Sequence, residues 1–440
     1  MIVGVQAIQA CFDVEQHRFA IPSEVFEAHL QAYDTLLRYP VSTDPGGYRT
    51  ADMAALEPAL IESGDVSADE RTYSFRLRRG VRSAAGNELT AHDVRWAWER
   101  AFALDSWSSR IARFAGIASP EAIRVVQPHV AQFKIEQPNS LFPRILAVPF
   151  PPIYDLEEVH LHCSTEDRWG ERWLGGHSSG FGPYALQEVL ATEEATLAAN
   201  PRYWQGAARE KRVLLRALPS SKERAATLAR GSLDVAAELP ADELRRLASC
   251  SGVRITSFAG GRQVVLRLDP AFAPFEQPRV RQALAMALPY EEISQQVFGG
   301  PAARAPDTVS DQRGARELLR QAGYSSGFRV SLALPQDNPE LLAIAQLFQL
   351  DAMRLGLKVV LEPTNPAVFA REKASRHLPA YLEDRVPLTA DLSFSDLDPL
   401  SAVHTIVIAQ PLFSFAARTD VEGFVRRSDG RPRYWELRKL

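Results

Sequence analysis

The most regular alternation of hydrophobic and polar positions lies in Thr72–Arg100. Tyr73, Phe75 and Leu77 alternate with Ser74, Arg76 and Arg78, the period-2 pattern of a half-buried strand. Gly80 and the Gly86-Asn87 pair punctuate the next stretch of chain. Thr90 then precedes a helical run with Asp93 three residues on, a capping-box-like start whose acid suits a helix N-terminus. The stretch therefore predicts a strand, a glycine turn and a capped helix, an α/β unit. Other periodicities extend the picture. Val25, Phe26, His29, Leu30, Tyr33, Leu36 and Leu37 share one helical face and predict a helix over 22–38. Residues 2–8 read as a short β-rich start, 110–117 as a helix and 122–135 as paired strands. Residues 185–198 alternate as strands, and 212–239 read as strand, helix, strand, with Gly231 as the helix stop. Residues 342–361 form an amphipathic helix, a stop at Gly356 and a strand. The Pro-rich apolar run at 146–152 reads as a crossover between domains.

Length and charge narrow the class. At 440 residues the chain exceeds one ordinary core, so two or three domains are expected. Hydrophobic residues make up 46% and charged residues 24%, the balance of a soluble globular protein. A net charge of −4 and a pI near 6.2 give no electrostatic footprint for nucleic acid or an anionic membrane. Cys11, Cys163 and Cys250 are odd in number and far apart, so no disulfide framework or CxxC site is read. The first residues, MIVGVQAIQACFDVEQHRF, carry no basic region, no long apolar core and no small-residue cleavage site. Two expectations stand: a leader has been removed, or the protein stays in the cytoplasm. No run reaches the ~18 apolar residues of a membrane span.

The order of residues in several segments resembles the family 5 extracellular solute-binding proteins, the peptide-, opine- and nickel-binding receptors of bacterial ABC importers. Leu77-Arg78-Arg79-Gly80-Val81, Gly86 and Thr90-Ala91-His92-Asp93-Val94 match one family segment, with Ala85 where the family has a turn aspartate. Ala32-Tyr33-Asp34-Thr35-Leu36-Leu37 and Ala55–Ser63 match two more. Ser179-Gly180-Phe181-Gly182-Pro183-Tyr184 resembles a G-x-G-P-Y turn, and Asn200-Pro201-Arg202-Tyr203-Trp204 the strand-pair ending N-x-x-Y-W. Pro274–Leu284 resembles P-F-x-D-x-x-V-R-x-A-L, and Pro289 replaces an aspartate just beyond it, where it could be the first residue of the next helix. Residues 315–328 and 342–361 complete the series.

The resemblance implies an α/β, two-lobed periplasmic-binding-protein type II-like fold with an extra inserted α/β domain, as in peptide-binding proteins. Lobe I would comprise 1–31, 153–264 and 410–440, the inserted domain 32–152, and lobe II 265–409, with hinge strands near Val264–Leu268 and Thr405–Ile408. Ligand would bind between the lobes by hinge closure.

Site residues come from the same resemblance. Phe394-Ser395-Asp396-Leu397-Asp398-Pro399 resembles the family's segment whose first aspartate pairs with the ligand's α-ammonium, and Asp396 holds that place. A buried cation needs a fixed anion to offset desolvation. The strand before it, Leu392, Ser393 and Phe394, would hydrogen-bond the ligand backbone as an added strand does. The alternative is that Asp396 and Asp398 cap a turn. Phe12-Asp13-Val14 resembles the turn after the opposite wall, which places Gln9 and Ala10 near the ligand.

His160, His162 and Cys163 have donors at a spacing that suits a borderline metal only with a further ligand; they read as a polar surface loop, and no metal or cofactor is expected. There is no G-x-S-x-G, P-loop or Rossmann fingerprint, and His177-Ser178-Ser179 reads as part of a turn. Two functions remain. One is a receptor delivering a peptide or peptide-like solute to an ABC permease. The other is a leaderless cytoplasmic derivative acting as an enzyme or sensor on a small metabolite. A binding protein is the preferred reading, and a monomer is expected.

Overall fold

A computed structural model describes residues 1–17, 21–43, 49–190, 192–258, 262–299, 309–385, 404–427 and 429–440, and the elements below are those among them. The chain divides into two compact units. Unit 1 comprises Met1–Leu239, Leu247–Thr256 and Phe415–Leu440; unit 2 comprises Pro240–Arg246 and Ser257–Ser414.

Unit 1 is built on a seven-stranded sheet in the order Tyr184–Leu190, Glu194–Ala199, Arg212–Ala217, Ile2–Val5, Val235–Ala236, Phe413–Arg418, Val253–Phe258. Ile2–Val5 runs parallel to both of its neighbours, pairing Val3 with Leu215 and with Val235. Val3, Gly4 and Val5 in succession are buried, as expected of a strand covered on both faces. A separate antiparallel sheet, Ile61–Val66, Thr72–Leu77, Val130–Lys134, Ile123–Gln127, lies in the same unit. The predicted strand and capped helix are both here. Thr90 N donates to Asp93 Oδ2 at 2.6 Å, and His92 N donates to Thr90 Oγ1 at 3.3 Å. The helix Ala91–Ala103 sets Trp98 edge-on to Phe133 of the sheet, ring centroids 6.2 Å apart. Near Ala85, the Ser83 hydroxyl accepts from Gly86 N at 3.1 Å.

The helix expected over 22–38 is shorter, Ser23–Ala32. The apolar spacing of Leu36 and Leu37 imitates a helical face, but nonlocal bonds decide otherwise. Gly182 N donates to Ala32 O at 3.0 Å, and Leu37 pairs with Pro58 in a short ladder. Asp34 accepts from Trp204 Nε1 at 2.7 Å and from Tyr203 Oη at 3.0 Å, so the Tyr-Trp pair anchors the chain just past the helix. A Cβ on Gly182 would stand 2.6 Å from Ala32 O and 2.8 Å from Gln31 O. Both obstacles are backbone. Gly182→Ala is expected to destabilise unit 1 by about 1–3 kcal/mol, measured as a lowered midpoint in urea; an unchanged midpoint would show that the helix end can yield.

Unit 2 is built on a five-stranded sheet, Lys358–Thr364, Arg329–Pro335, Ala380–Arg385, Gln263–Leu268, His404–Ala409. Its core joins Val264, Leu266 and Leu268 to Val280, Leu284, Leu319, Ile344 and Phe348 from helices Pro278–Met286, Gln312–Gln321 and Pro339–Met353. Asn338 caps the last of these, accepting from Leu341 N at 3.0 Å, and Gly356 with φ 77° lies just past its end. Pro289 is the N-cap of the short helix Tyr290–Glu292 rather than its first residue. The helix then runs on as a π-helical stretch, Ile293–Val297.

Candidate functional site

Gln9 lies in the loop after the first strand and is tied to an acid. Its Nε2 donates to Glu24 Oε1 at 2.6 Å. Glu24 and Glu27 stand in the first turns of helix Ser23–Ala32, and both are buried. Burial pushes the Glu24 carboxyl up against the hydrogen bond from Gln9. Burial also pushes Glu27 up, opposed by the Arg431 guanidinium and by the Tyr434 hydroxyl, which donates to Glu27 Oε1. The segment bearing Arg431 is clamped to the same helix. Tyr434 N donates to Gln31 Oε1 at 2.8 Å, and Gln31 Nε2 donates to Pro432 O at 3.1 Å. Sequence reasoning placed Gln9 here but missed Glu24, Glu27 and Arg431. The available signal was two acids three residues apart on one face of a helix with Val25, Phe26 and Leu30. Arg431 had no local signal.

The turn after Gln9 is held by a buried polar network. Asp13 caps the 3-10 turn Val14–Gln16, accepting from Glu15 N at 3.2 Å. Arg100, from the capped helix, meets the Asp13 carboxylate in bidentate fashion, Nη1 to Oδ1 at 3.2 Å and Nη2 to Oδ2. Its Nη1 also donates to Tyr154 Oη at 2.8 Å and its Nε to Trp169 O at 2.9 Å. Burial alone would raise Asp13; the charge and hydrogen bonds of Arg100 outweigh it and hold the carboxyl below its ordinary range. Beside this pair, Glu15 is wholly buried and accepts from the Ser106 and Ser108 hydroxyls. Burial pushes Glu15 up to about 7, against those two hydrogen bonds and Arg100. The network fixes the loop that carries Gln9 without using any exposed group.

Leu392, Ser393, Phe394, Asp396 and Asp398 lie outside the described residues. Their flanks are placed. Arg385 pairs with Gln263 and His404 with Leu268, so the residues bordering 386–403 bracket opposite ends of one strand. The strands proposed as hinges, Val264–Leu268 and Thr405–Ile408, pair with each other inside the sheet of unit 2.

His162 and Cys163 do not converge with His160. His162 stacks on Trp173 at 4.1 Å between centroids, while His160 stands edge-on to Trp96 at 6.1 Å. Among the described residues no three His, Cys, Asp or Glu side chains are grouped to hold a metal ion. Ser178 and Ser179 serve the turn. Ser178 Oγ accepts from Leu186 N at 2.7 Å, and Ser179 Oγ donates to Asp155 O at 3.2 Å. No described helix is long and apolar enough to cross a membrane.

Two α/β units with these sheets define a type II periplasmic-binding-protein fold, and solved structures similar to it are of that class. The periplasmic binding protein DppA of Helicobacter pylori, in complex with the peptide STSA, matches with a TM-score of 0.81 and 20% identity, covering 100% of this chain and 98% of that one. The dipeptide-binding protein of Pseudoalteromonas sp. SM9913, in complex with Met-Leu, matches with a TM-score of 0.79 and 19% identity, covering 100% of both. The model of the bacterial extracellular solute-binding proteins, family 5 middle, matches residues 55–395. The chain belongs to family 5 of the bacterial extracellular solute-binding proteins. A curated relative, the glutathione-binding protein GsiB of Salmonella choleraesuis (strain SC-B67), is 27% identical over 314 residues, which is 68% of this chain and 59% of that protein.

Proposed function

We propose that this chain is the solute-binding receptor of an ABC-type importer and that its ligand is a peptide or peptide-like small molecule. The observation that carries the reading is the family match, which spans residues 55–395 and so enters both units. The bound peptides of the two structural relatives and the name of the glutathione-binding relative support the ligand class. In this reading Asp396 takes the ligand's α-ammonium, Leu392, Ser393 and Phe394 offer it a strand edge, and Gln9 stands on the opposite wall. The same proposal divides the chain into lobe I (1–31, 153–264, 410–440), an inserted domain (32–152) and lobe II (265–409), with hinge closure over the ligand. Its partner is a membrane permease, and its place is outside the cytoplasmic membrane.

Native mass spectrometry of the purified chain, before and after gentle denaturation, tests the reading. A retained peptide-like mass that disappears in Asp396→Ala is expected. Removing the one anion that meets a buried ammonium costs about tenfold or more in affinity. A co-purified mass that is chemically altered on standing would instead identify an enzyme. A retained ligand unaffected by Asp396→Ala would remove that residue from the site.

A further inference from the structure

Three carboxylates and one guanidinium meet in unit 1 without pairing off. Glu24 and Glu27 share a face of helix Ser23–Ala32. Glu238 comes just after the strand Val235–Ala236, and its backbone is held by Arg224, whose Nη2 donates to Glu238 O at 3.1 Å. The Ser23 hydroxyl donates to Glu238 Oε1, and Gln9 Nε2 donates to Glu24. Glu238 acts electrostatically on both of the other acids. Arg431 faces them. Its Nη1 is 3.7 Å from Glu238 Oε1 and 3.9 Å from Glu27 Oε2, beyond hydrogen-bond range. Its guanidinium lies 5.5 Å over the Phe26 ring.

Arg431 is only 9% exposed, and among the described residues its buried Nε has no hydrogen-bond partner. A buried donor without an acceptor is costly. The carboxylates have the opposite deficit. Three acids face the Arg431 guanidinium, and the Arg224 guanidinium stands beside Glu238, so the cluster is short of one cation. Glu238 is the exposed member, and it opens the cluster to solvent. A compact ammonium with three donors suits the carboxylates, and a carboxylate suits the free Nε–H.

We infer that Glu24, Glu238 and Arg431 form an anchor for a free α-amino-acid head group, the two carboxylates taking its ammonium and the guanidinium its carboxylate. The inference rests on the receptor reading for its ligand class and narrows it, and it puts these two carboxylates rather than Asp396 on the ligand's ammonium. A head group with ammonium and carboxylate on one carbon is carried by a free amino acid or a γ-glutamyl peptide. An ordinary peptide N-terminus carries an amide in place of that carboxylate.

Titration calorimetry of the full chain tests this with three probes: reduced glutathione, its α-N-acetyl derivative and the dipeptide Met-Leu. Glutathione is expected to bind and the acetylated form to bind at least about tenfold more weakly. Glu238→Gln and Arg431→Gln should each weaken glutathione by about tenfold or more. Glu238→Gln changes an exposed side chain, so it stays informative if Arg431→Gln fails to fold. If Met-Leu binds and glutathione does not, or if Glu238→Gln binds glutathione within about twofold of the parent, the anchor is overturned and the receptor reading stands. If none of the three binds, the anchor is likewise overturned, and the co-purified mass decides the receptor reading by itself.

Discussion

Replacing Arg100 with methionine is expected to lower the stability of unit 1 by about 3–5 kcal/mol. The thioether keeps most of the arginine stem's volume, so the loss comes from charge and hydrogen bonds rather than from a cavity. Left behind are a carboxylate on Asp13, which is 5% exposed, and the Tyr154 hydroxyl and Trp169 carbonyl deprived of a donor. Changing Asp13 to asparagine in the same chain should return part of the loss, because no uncompensated charge is then buried. Urea unfolding followed by indole fluorescence measures this in one unit alone, since all seven tryptophans lie in unit 1. The pH dependence gives a second reading. In the parent chain Asp13 is held below its ordinary value of 3.8, so its stabilising share is present above that value and is lost as the pH falls. In the variant burial is opposed only by the hydrogen bonds from Gln16 and the Glu15 amide, and the deficit shrinks on acidification as the carboxyl takes up a proton. A variant within about 1 kcal/mol of the parent at neutral pH would mean that water reaches Asp13.

Glu15→Gln is expected to stabilise the same unit at alkaline pH, by up to about 3 kcal/mol. The sign comes from proton binding. Glu15 ionises near 4.5 when unfolded and at about 7 in the folded chain, so below 4.5 both states hold the proton and nothing is lost. Between the two values only the folded state holds it, and each pH unit costs about 1.4 kcal/mol. Above 7 the whole cost applies. Glutamine keeps an oxygen acceptor for Ser106 or Ser108 and carries no charge. Urea midpoints at pH 5, 6, 7 and 8 should therefore fall less steeply in the variant than in the parent over that interval. Parallel slopes would place the ionisation elsewhere.

Much of the fold was legible because its signals are local. The alternation of Tyr73, Phe75 and Leu77, the Thr90–Asp93 cap and the stop at Gly356 each involve residues within one turn or strand, and each appears where the pattern put it. The helix past Ala32 was misread because Leu36 and Leu37 have helical spacing. What ends that helix, the contacts of Gly182 and the Tyr203-Trp204 pair, comes from about 150–170 residues away in sequence, beyond what periodicity can register. The acidic cluster was illegible for the same reason. Glu24, Glu238 and Arg431 are brought together by the strand order of the large sheet and the clamp of Gln31 on Pro432 and Tyr434. Gln9 was named from motif resemblance, and its hydrogen bond to Glu24 gives it a definite neighbour.

The strand Phe413–Arg418 lies between Val235–Ala236 and Val253–Phe258, with Ala417 opposite Val235. During synthesis, the two outer strands therefore leave the ribosome long before the one that joins them. Until then Val235 and Ala236 have an open edge on one side, a template for foreign strands. Unit 2, drawn from the chain in between, can complete its own sheet first. Unit 1 closes late and through nonlocal pairing, which is slow.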